Sequence, residues 1–235
     1  MPIISNRLAY IYFQTAAAAG NELFYIIFLP LLFWCVNVDL ARRLSLLWGC
    51  VYASGQSVKD LLELPRPPSP PVARLESHYE TEYGFPSTHA MIALVLPWYA
   101  LVVWAQLGYD TNWTLGVVAA TVWTVSITLS RLYVGVHSVC DLVGGLALGG
   151  LVLAFGWAFG ASIDEFVIHS LASPPAALLV SYSVIYLYPA PASWVSIPHS
   201  TMQQRPLPAI VSRACRSLSP FSLSFVPPPA DQRLR

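Results

Sequence analysis

A short stretch near the middle of the chain, residues 130–141, combines an arginine, a histidine and an aspartate between two long apolar runs. Charged residues are costly in such surroundings, so their presence indicates chemistry. If the chain is helical from about Val136, His137 and Asp141 lie four residues apart and share a face. The carboxylate can then hold the Nδ1–H of the imidazole and leave Nε2 as a nucleophile. Arg131 adds a planar fork suited to phosphate oxygens, so the stretch predicts half of a site that attacks phosphorus.

A second polar cluster, residues 85–89, lies just before the apolar run that begins at residue 90. A third, residues 59–67, lies at the end of the preceding apolar run. Ser87 follows a proline and is a candidate N-cap, so the first turn from Thr88 onward would form an anion site. Lys59 and Arg66 supply two cations in addition to Arg131. Three cations and a helix N-terminus match a bound phosphate dianion and the charge that develops as phosphorus becomes five-coordinate.

The second histidine of the pattern, His89, gives the site an acid and a base. Placed opposite His137, it can protonate a departing alkoxide and later take a proton from water. No carboxylate cluster with metal spacing accompanies these residues, so we predict a site without a metal or other cofactor, in which cations neutralise the phosphate. Asp60 and Glu63 could ligate Mg²⁺, but two carboxylates alone make a poor cage, and we interpret them as solvated charges at a helix end.

The composition indicates a membrane protein. Of the 235 residues, 56% are hydrophobic and only 10% are charged, whereas soluble domains are about 25% charged. The mean hydropathy is +0.58. The formal net charge is zero, which gives no reason to expect a nucleic-acid partner.

Apolar runs long enough, or nearly long enough, to cross a bilayer predict an all-α polytopic bundle of about six transmembrane helices. These runs are residues 23–38, 44–64, 90–108, 113–129, 142–163 and 176–188. An earlier run, residues 8–21, is interrupted by Gln14 and Gly20 and predicts an interfacial or short helix. Gly145 and Gly149 predict a close helix-packing face. Alternating spans place all three polar clusters on the same membrane face, which supports a single site.

Three motifs carry a resemblance to a known family: Lys59-x6-Arg66-Pro67, Pro86-Ser87-Thr88-His89 and Ser130-Arg131-x5-His137-x3-Asp141. Together they resemble the three-part signature of the type-2 phosphatidic acid phosphatase superfamily. The resemblance implies that His137 forms a phosphohistidine, that Asp141 orients it and that His89 is the acid for the leaving group. It also implies a set of phosphate-binding residues, namely Lys59, Arg66, Ser87, Thr88 and Arg131.

One residue departs from the superfamily pattern, and this departure restricts the resemblance to one branch of the superfamily. Thr88 stands where the superfamily usually has glycine, and the sphingosine-1-phosphate phosphatase branch tolerates this change. The stretches 66–72 and 82–89 also resemble that branch, especially its fungal and plant members. The resemblance therefore implies metal-independent hydrolysis of long-chain base 1-phosphates. Two alternatives stay open: a phosphatidate or polyisoprenyl diphosphate phosphatase of the same superfamily, and a catalytically inactive lipid-binding membrane protein.

We expect residues 1–190 to form the membrane-embedded phosphatase domain. Residues 191–235 are rich in Ser, Pro and Arg and predict a disordered tail. The resembling proteins continue there with further helices, so we expect that this end reflects truncation, alternative splicing or a gene-model error. Three glutamates of the 65–85 loop could meet the ammonium of a long-chain base, although a solvated loop is the simpler interpretation: Glu76, Glu80 and Glu82.

The location of the predicted site follows from the charges on either side of the membrane. Arg42 and Arg43 favour the cytosol for their face of the bundle. The catalytic face would then be lumenal, in agreement with the endoplasmic reticulum location that the resemblance implies. Asn112-Trp113-Thr114 is a glycosylation sequon on the opposite face, and we predict that Asn112 stays unmodified.

Overall fold

The computed structural model describes residues 6–64, 66–67, 75 and 83–188, and these residues contain helices and no strand. The helices in chain order are α1 (Arg7–Ala19), α2 (Glu22–Cys35), α3 (Val38–Leu62), α4 (Thr88–Gln106), α5 (Trp113–Tyr133), α6 (Val139–His169) and α7 (Ser173–Leu187). The predicted all-α class is confirmed. The predicted disordered tail and the three loop glutamates lie outside the described residues.

Three of these helices, α4, α5 and α6, are long and apolar enough to cross a bilayer. Helices α1 and α2 meet the same criteria only together, as one span bent by 61°. Helix α3 has 25 residues but carries charges towards both ends, and α7 is an apolar helix of 15 residues. By length and composition, the described residues thus supply three or four crossings, where about six were expected, and the multi-pass character is confirmed.

Helix α4 is the centre of the bundle and packs against α3, α5 and α6, while α1 packs on α5, α2 on α3 and α7 on α6. Its contact with α6 is close because glycines face it. A Cβ atom on Gly145 would lie 2.5 Å from the carbonyl oxygen of Ser87, and one on Gly149 would lie 3.1 Å from the Cα of Met91. The predicted packing face of small residues is therefore confirmed.

Arg42 and Arg43 lie between the predicted apolar runs 23–38 and 44–64, where we expected a brief turn, but the structure places them inside α3. The helix begins earlier because the Asn37 side chain caps it and accepts a hydrogen bond from the backbone N–H of Leu40 at 2.8 Å. Both arginines then reach Asp164 of α6, with Nε–carboxylate distances of 2.6 and 2.9 Å. Because the carboxylate of Asp164 compensates the charge of both arginines, they can be part of a helix that packs in the bundle.

The chain alternates direction, so four helix ends meet at one end of the bundle. These are the C-termini of α3 and α5 and the N-termini of α4 and α6, joined by contacts between Lys59 and Thr88 and between Ser87 and Asp141. Helix α3 stops at Glu63, which has left-handed backbone angles (φ 49°) and turns the chain towards Arg66. The cluster of Arg42, Arg43 and Asp164 lies at the opposite end, where Arg43 also donates to Gln106 at the end of α4.

Candidate active site

The structure brings all eight predicted site residues to this one end of the bundle. Each is buried, with at most 9% of its surface exposed. They are Lys59 at the end of α3, Arg66 after it, Ser87, Thr88 and His89 at the start of α4, Arg131 at the end of α5, and His137 and Asp141 around the start of α6. Residues more than 80 positions apart in the sequence thus lie buried at one end of the bundle.

The first turn of α6 positions the predicted nucleophile, although not through a shared helical face. The helix begins at Val139, so His137 precedes it and the premise of helix from Val136 is wrong. A capping box positions the Asp141 carboxylate instead. The carboxylate of Asp141 accepts from the backbone N–H of Ser138 at 2.7 Å, and the Ser138 hydroxyl accepts from the backbone N–H of Asp141 at 3.2 Å. This reciprocal pair fixes the carboxylate beside the residue that precedes the cap.

The His137 ring lies between a carboxylate and a guanidinium. Its Nδ1 is 3.6 Å from Oδ2 of Asp141, and its Nε2 is 3.3 Å from Nη1 of Arg66. A guanidinium can only donate, so Nε2 is the acceptor and carries the ring's lone pair. The proton is then on Nδ1, facing the carboxylate. This is the tautomer that the sequence pattern predicted for a nucleophilic Nε2.

The surroundings of His137 keep its imidazole neutral. Burial lowers the pKa of His137 well below its ordinary value, and the charges of Arg66, Arg131 and Lys59 lower it further. A backbone hydrogen bond involving Gly84 acts in the opposite direction without overcoming them. A neutral imidazole retains the lone pair that attack on phosphorus requires.

Helix α4 carries the second histidine. Ser87 is its N-cap, as predicted, and its hydroxyl accepts from the backbone N–H of Ala90 at 3.4 Å. Its own N–H donates to the carbonyl oxygen of Asp141 at 3.0 Å, so the starts of α4 and α6 are tied together. His89 lies in the first turn of α4, under the electrostatic influence of Arg131 and His137. The two imidazoles therefore belong to one site.

The site has an excess of positive charge. Lys59 donates to the Thr88 hydroxyl at 3.5 Å, Arg66 donates to the Val136 carbonyl at 3.0 Å, and Arg131 is almost fully buried. Among the buried residues described at this end, three cations accompany the single carboxylate of Asp141, which gives a formal charge of +2. An uncompensated buried charge is costly, and the charge of a phosphate dianion is equal to this excess in magnitude and opposite in sign.

Sequence reasoning missed two residues that shape the loop before α6. Ser138 is the partner in the capping box, and the spacing Ser-x-x-Asp is the recognisable signal for it. Gly135 has a φ of 76°, a left-handed conformation that favours glycine. Its turn follows the end of α5, so Arg131 in the last turn of that helix and His137, six residues later, reach the same end of the bundle.

The acidic pair next to the site differs from its predicted role as solvated charges. Asp60 is partly buried and accepts a hydrogen bond from the Tyr188 hydroxyl at the end of α7. Glu63 is the left-handed residue that ends α3. Within the described residues, no three His, Cys, Asp or Glu side chains are grouped so that they could hold a metal ion.

Comparison with known proteins identifies relatives of this chain. The chain is 37% identical over 187 residues to sphingosine-1-phosphate phosphatase 2 of Mus musculus, a match that covers 80% of this chain and 52% of the relative. The Homo sapiens protein of the same name is 38% identical, with 80% and 47% covered. A dihydrosphingosine 1-phosphate phosphatase of Schizosaccharomyces pombe is 31% identical, with 77% and 46% covered. The chain thus spans about half the length of the curated relatives it matches.

A solved structure shares the fold. It is the crystal structure of a transmembrane PAP2 type phosphatidylglycerolphosphate phosphatase from Bacillus subtilis, with a TM-score of 0.58 and 22% identity over 68% of this chain and 81% of that one. The family model described as the PAP2 superfamily matches residues 40–163, which include every predicted site residue. The motif resemblance is confirmed, and the chain belongs to the PAP2 superfamily.

Proposed function

We propose that the chain hydrolyses the phosphomonoester of long-chain base 1-phosphates, with His137 as the nucleophile. The observation that carries the proposal is the placement of that ring. Asp141 faces Nδ1, Arg66 contacts Nε2, and buried cations in excess surround both. The names of the relatives, sphingosine-1-phosphate and dihydrosphingosine 1-phosphate phosphatases, support this substrate class.

The first step transfers the phosphoryl group to the protein. The phosphate of the lipid takes the place of Nε2 as the partner of Arg66, and the lone pair of His137 attacks phosphorus. A bond forms between Nε2 and phosphorus while the bond from phosphorus to the lipid oxygen breaks. His89 gives its proton to the departing alkoxide, so the long-chain base leaves as an alcohol. The negative charge of a bound phosphate favours the protonated form of His89 that this step needs.

The second step restores the enzyme. Water attacks the phosphohistidine, and the neutral imidazole of His89 takes a proton from it. The bond between phosphorus and Nε2 breaks, inorganic phosphate leaves, and His137 regains its lone pair. Lys59, Arg66 and Arg131 stabilise the additional charge of the five-coordinate phosphorus in both steps, together with the backbone N–H groups at the start of α4. The reaction as proposed uses only side chains and water.

We also propose that residues 1–190 form the phosphatase domain and lie in the endoplasmic reticulum membrane with the site in the lumen. The cluster of Arg42, Arg43 and Asp164 supports this orientation, because it lies at the end of the bundle opposite the site. Positively charged residues favour the cytosolic face. The long-chain base phosphate would then be drawn from the lumenal leaflet.

The test is phosphate release from dihydrosphingosine 1-phosphate and from phosphatidate by the full chain in detergent micelles. We expect turnover of the long-chain base phosphate in preference to phosphatidate. His137→Ala should lower kcat by more than about 10³-fold, because no other group supplies the attacking lone pair. His169→Ala, an exposed histidine at the far end of α6, is the matched control and should retain wild-type activity.

Three results would count against the proposal. Preference for phosphatidate would reassign the substrate within the superfamily. Equal activity of His137→Ala and His169→Ala would remove His137 from the nucleophilic role. Binding of dihydrosphingosine 1-phosphate without any phosphate release would favour a lipid-binding protein over an enzyme.

A further inference from the structure

A groove lies between α3 and α7, and its lining extends to Tyr188, which contacts Asp60 near the end of the bundle that holds the site. Its volume is about 460 Å³, within the roughly 300–1,000 Å³ typical of small-molecule sites. Apolar and small residues line it: Ala53, Ser54 and Ser57 of α3, and Leu179, Val180, Ser183, Val184, Leu187 and Tyr188 on the α7 side. Helix α7 packs on α6, and none of its residues is buried. Helix α7 thus forms one side of the groove and leaves the groove accessible from the surroundings of the protein.

The α7 side of the groove extends about as far as one leaflet of a bilayer is deep. Its lining on α7 extends from Leu179 to Tyr188, which at 1.5 Å per residue is roughly 14 Å. The hydrocarbon core of a bilayer is about 30 Å thick, so each leaflet contributes about 15 Å. An alkyl chain lying in the leaflet next to the site would match this length.

The end of the groove at Tyr188 carries one acidic residue, Asp60, which is next in sequence to Lys59 of the site. Tyr188, the last lining residue, donates its hydroxyl proton to Asp60. Lys59, the preceding residue of α3, is buried and points to Thr88 at the start of α4. A cation in the site and an anion at the groove mouth therefore occupy neighbouring positions on one helix. This order complements a lipid headgroup that has a phosphate beside an ammonium.

We propose that the groove between α3 and α7 holds the alkyl chain of the substrate and that Asp60 pairs with the ammonium group of its headgroup. The inference rests on the proposed function and names a specificity-determining residue for it. The carboxylate that accepts from Tyr188 has further lone pairs for an ammonium donor. A headgroup without a cation, such as that of phosphatidate, would bring only its phosphate next to this carboxylate and would be disfavoured.

The first experiment removes the charge at the groove mouth. Asp60→Asn keeps the shape of the side chain, and its kcat/KM is measured for dihydrosphingosine 1-phosphate and for the N-acetylated form of the same lipid. We expect the preference for the free amine to fall by about fivefold, because a partly buried charge pair is lost. The loss should be in KM, with kcat within about twofold of wild type, because Asp60 does not contact the phosphate in this scheme. Asp110→Asn, an exposed carboxylate at the opposite end, should keep the preference.

The second experiment fills the groove. Ala53→Phe places a ring in it, and we expect KM for dihydrosphingosine 1-phosphate to rise by about tenfold, because the chain is displaced from its packed position. A short-chain analogue with the same headgroup should be affected much less. Ala119→Phe puts the same ring on an exposed position of α5 and is the matched control. Its KM for both substrates should match wild type.

These outcomes separate failure of the inference from failure of the proposed function. If wild type releases no phosphate from dihydrosphingosine 1-phosphate, the proposed function fails, and the inference with it. If wild type is active but Asp60→Asn keeps the full preference for the free amine, Asp60 is not the ammonium partner. Equal KM values for Ala53→Phe and Ala119→Phe with the long-chain substrate would remove the alkyl chain from the groove.

Discussion

Asp141 serves two partners with the same carboxylate. Its Oδ2 accepts from the backbone N–H of Ser138 and faces Nδ1 of His137. The first contact helps to begin the longest helix of the described chain, and the second places a carboxylate 3.6 Å from the ring nitrogen that carries the proton. In the proposed mechanism, the residue that caps the start of α6 is therefore also the residue that orients the nucleophile, and the two roles can be separated by substitution.

Asp141→Asn tests the orienting role. An amide oxygen can still accept from the backbone N–H of Ser138, but it carries no charge to hold the Nδ1 proton. We expect kcat to fall by about 10²–10⁴-fold, with little change in thermal unfolding. Ser138→Ala provides the contrast, because it removes one capping hydroxyl and leaves the carboxylate in place. That variant should lose about 1 kcal/mol of stability and keep most of its activity. A near-wild-type kcat for Asp141→Asn would contradict the assignment.

The protonation of His137 can be measured without substrate. Burial and the charges of Arg66, Arg131 and Lys59 lower its pKa, so the ring should remain neutral as the pH falls past the ordinary histidine value of about 6.5. Arg66→Gln removes one of these cations and should raise the pKa. The ¹⁵N chemical shifts of histidine rings in micelles report this directly, with the His137 signals assigned by their loss in His137→Ala. A midpoint at the ordinary value in wild type would contradict the buried, cation-lined site.

At the scale of elements, the contact between α4 and α6 brings the two histidines to one site. The backbone N–H of Ser87 reaches the carbonyl of Asp141 at 3.0 Å. This approach is possible because Gly145 has no side chain, since a Cβ there would lie 2.5 Å from the Ser87 carbonyl oxygen. Geometry at the site therefore depends on a residue that contacts no substrate in the proposed mechanism.

Gly145→Ala should accordingly impair catalysis from a distance. The added methyl group meets the backbone of α4, so the start of that helix must move away from α6 and displace His89 from His137. A displacement of about 1 Å can cost about 10²-fold in rate, and we expect kcat to fall by this order. Gly150→Ala on the same helix is the control, because a Cβ there meets nothing within 4 Å. If both variants retained wild-type kcat, the close packing would not set the catalytic geometry.

The sequence alone was sufficient to predict the all-α class and the convergence of the candidate site residues at one end of the bundle, because both depend on residue type and local spacing. Long apolar runs specify helices in a membrane, and isolated charges among them mark chemistry. Details that depend on distant partners could not be predicted in the same way. Arg42 and Arg43 of α3 bond to Asp164, which lies more than 120 residues later in the sequence. The bond between Tyr188 and Asp60 depends likewise on how α7 returns across the bundle.

The start of α6 was within reach of sequence reasoning and was still placed three residues too early. His137 and Asp141 fit the spacing of a helical face, and that spacing also fits a capping box that begins at Ser138. The side chains converge in either case, so the predicted pairing is correct although its stated cause is wrong. Spacing of charged residues near a helix start is therefore ambiguous until the cap is identified.

At the scale of the whole molecule, the proposed orientation can be tested by glycosylation. Asn112 begins α5, at the opposite end of that helix from Arg131, and its side chain caps the helix. With the site in the lumen, Asn112 faces the cytosol and should carry no glycan in the native protein. Tyr79→Asn creates a sequon in the segment between α3 and α4 and should be glycosylated in microsomes. A glycan on Asn112, with none on the variant's new sequon, would reverse the orientation.

The position of α7 has a consequence for how such an enzyme would meet its substrate. Helix α7 buries none of its residues and borders a groove whose last lining residue, Tyr188, contacts Asp60. A lipid could then pass sideways from the surrounding leaflet without first entering water. The relevant measure of substrate abundance would be its mole fraction among neighbouring lipids, and adding inert lipid at a fixed amount of substrate would slow turnover. A cell could therefore regulate the reaction through the composition of the membrane around the protein.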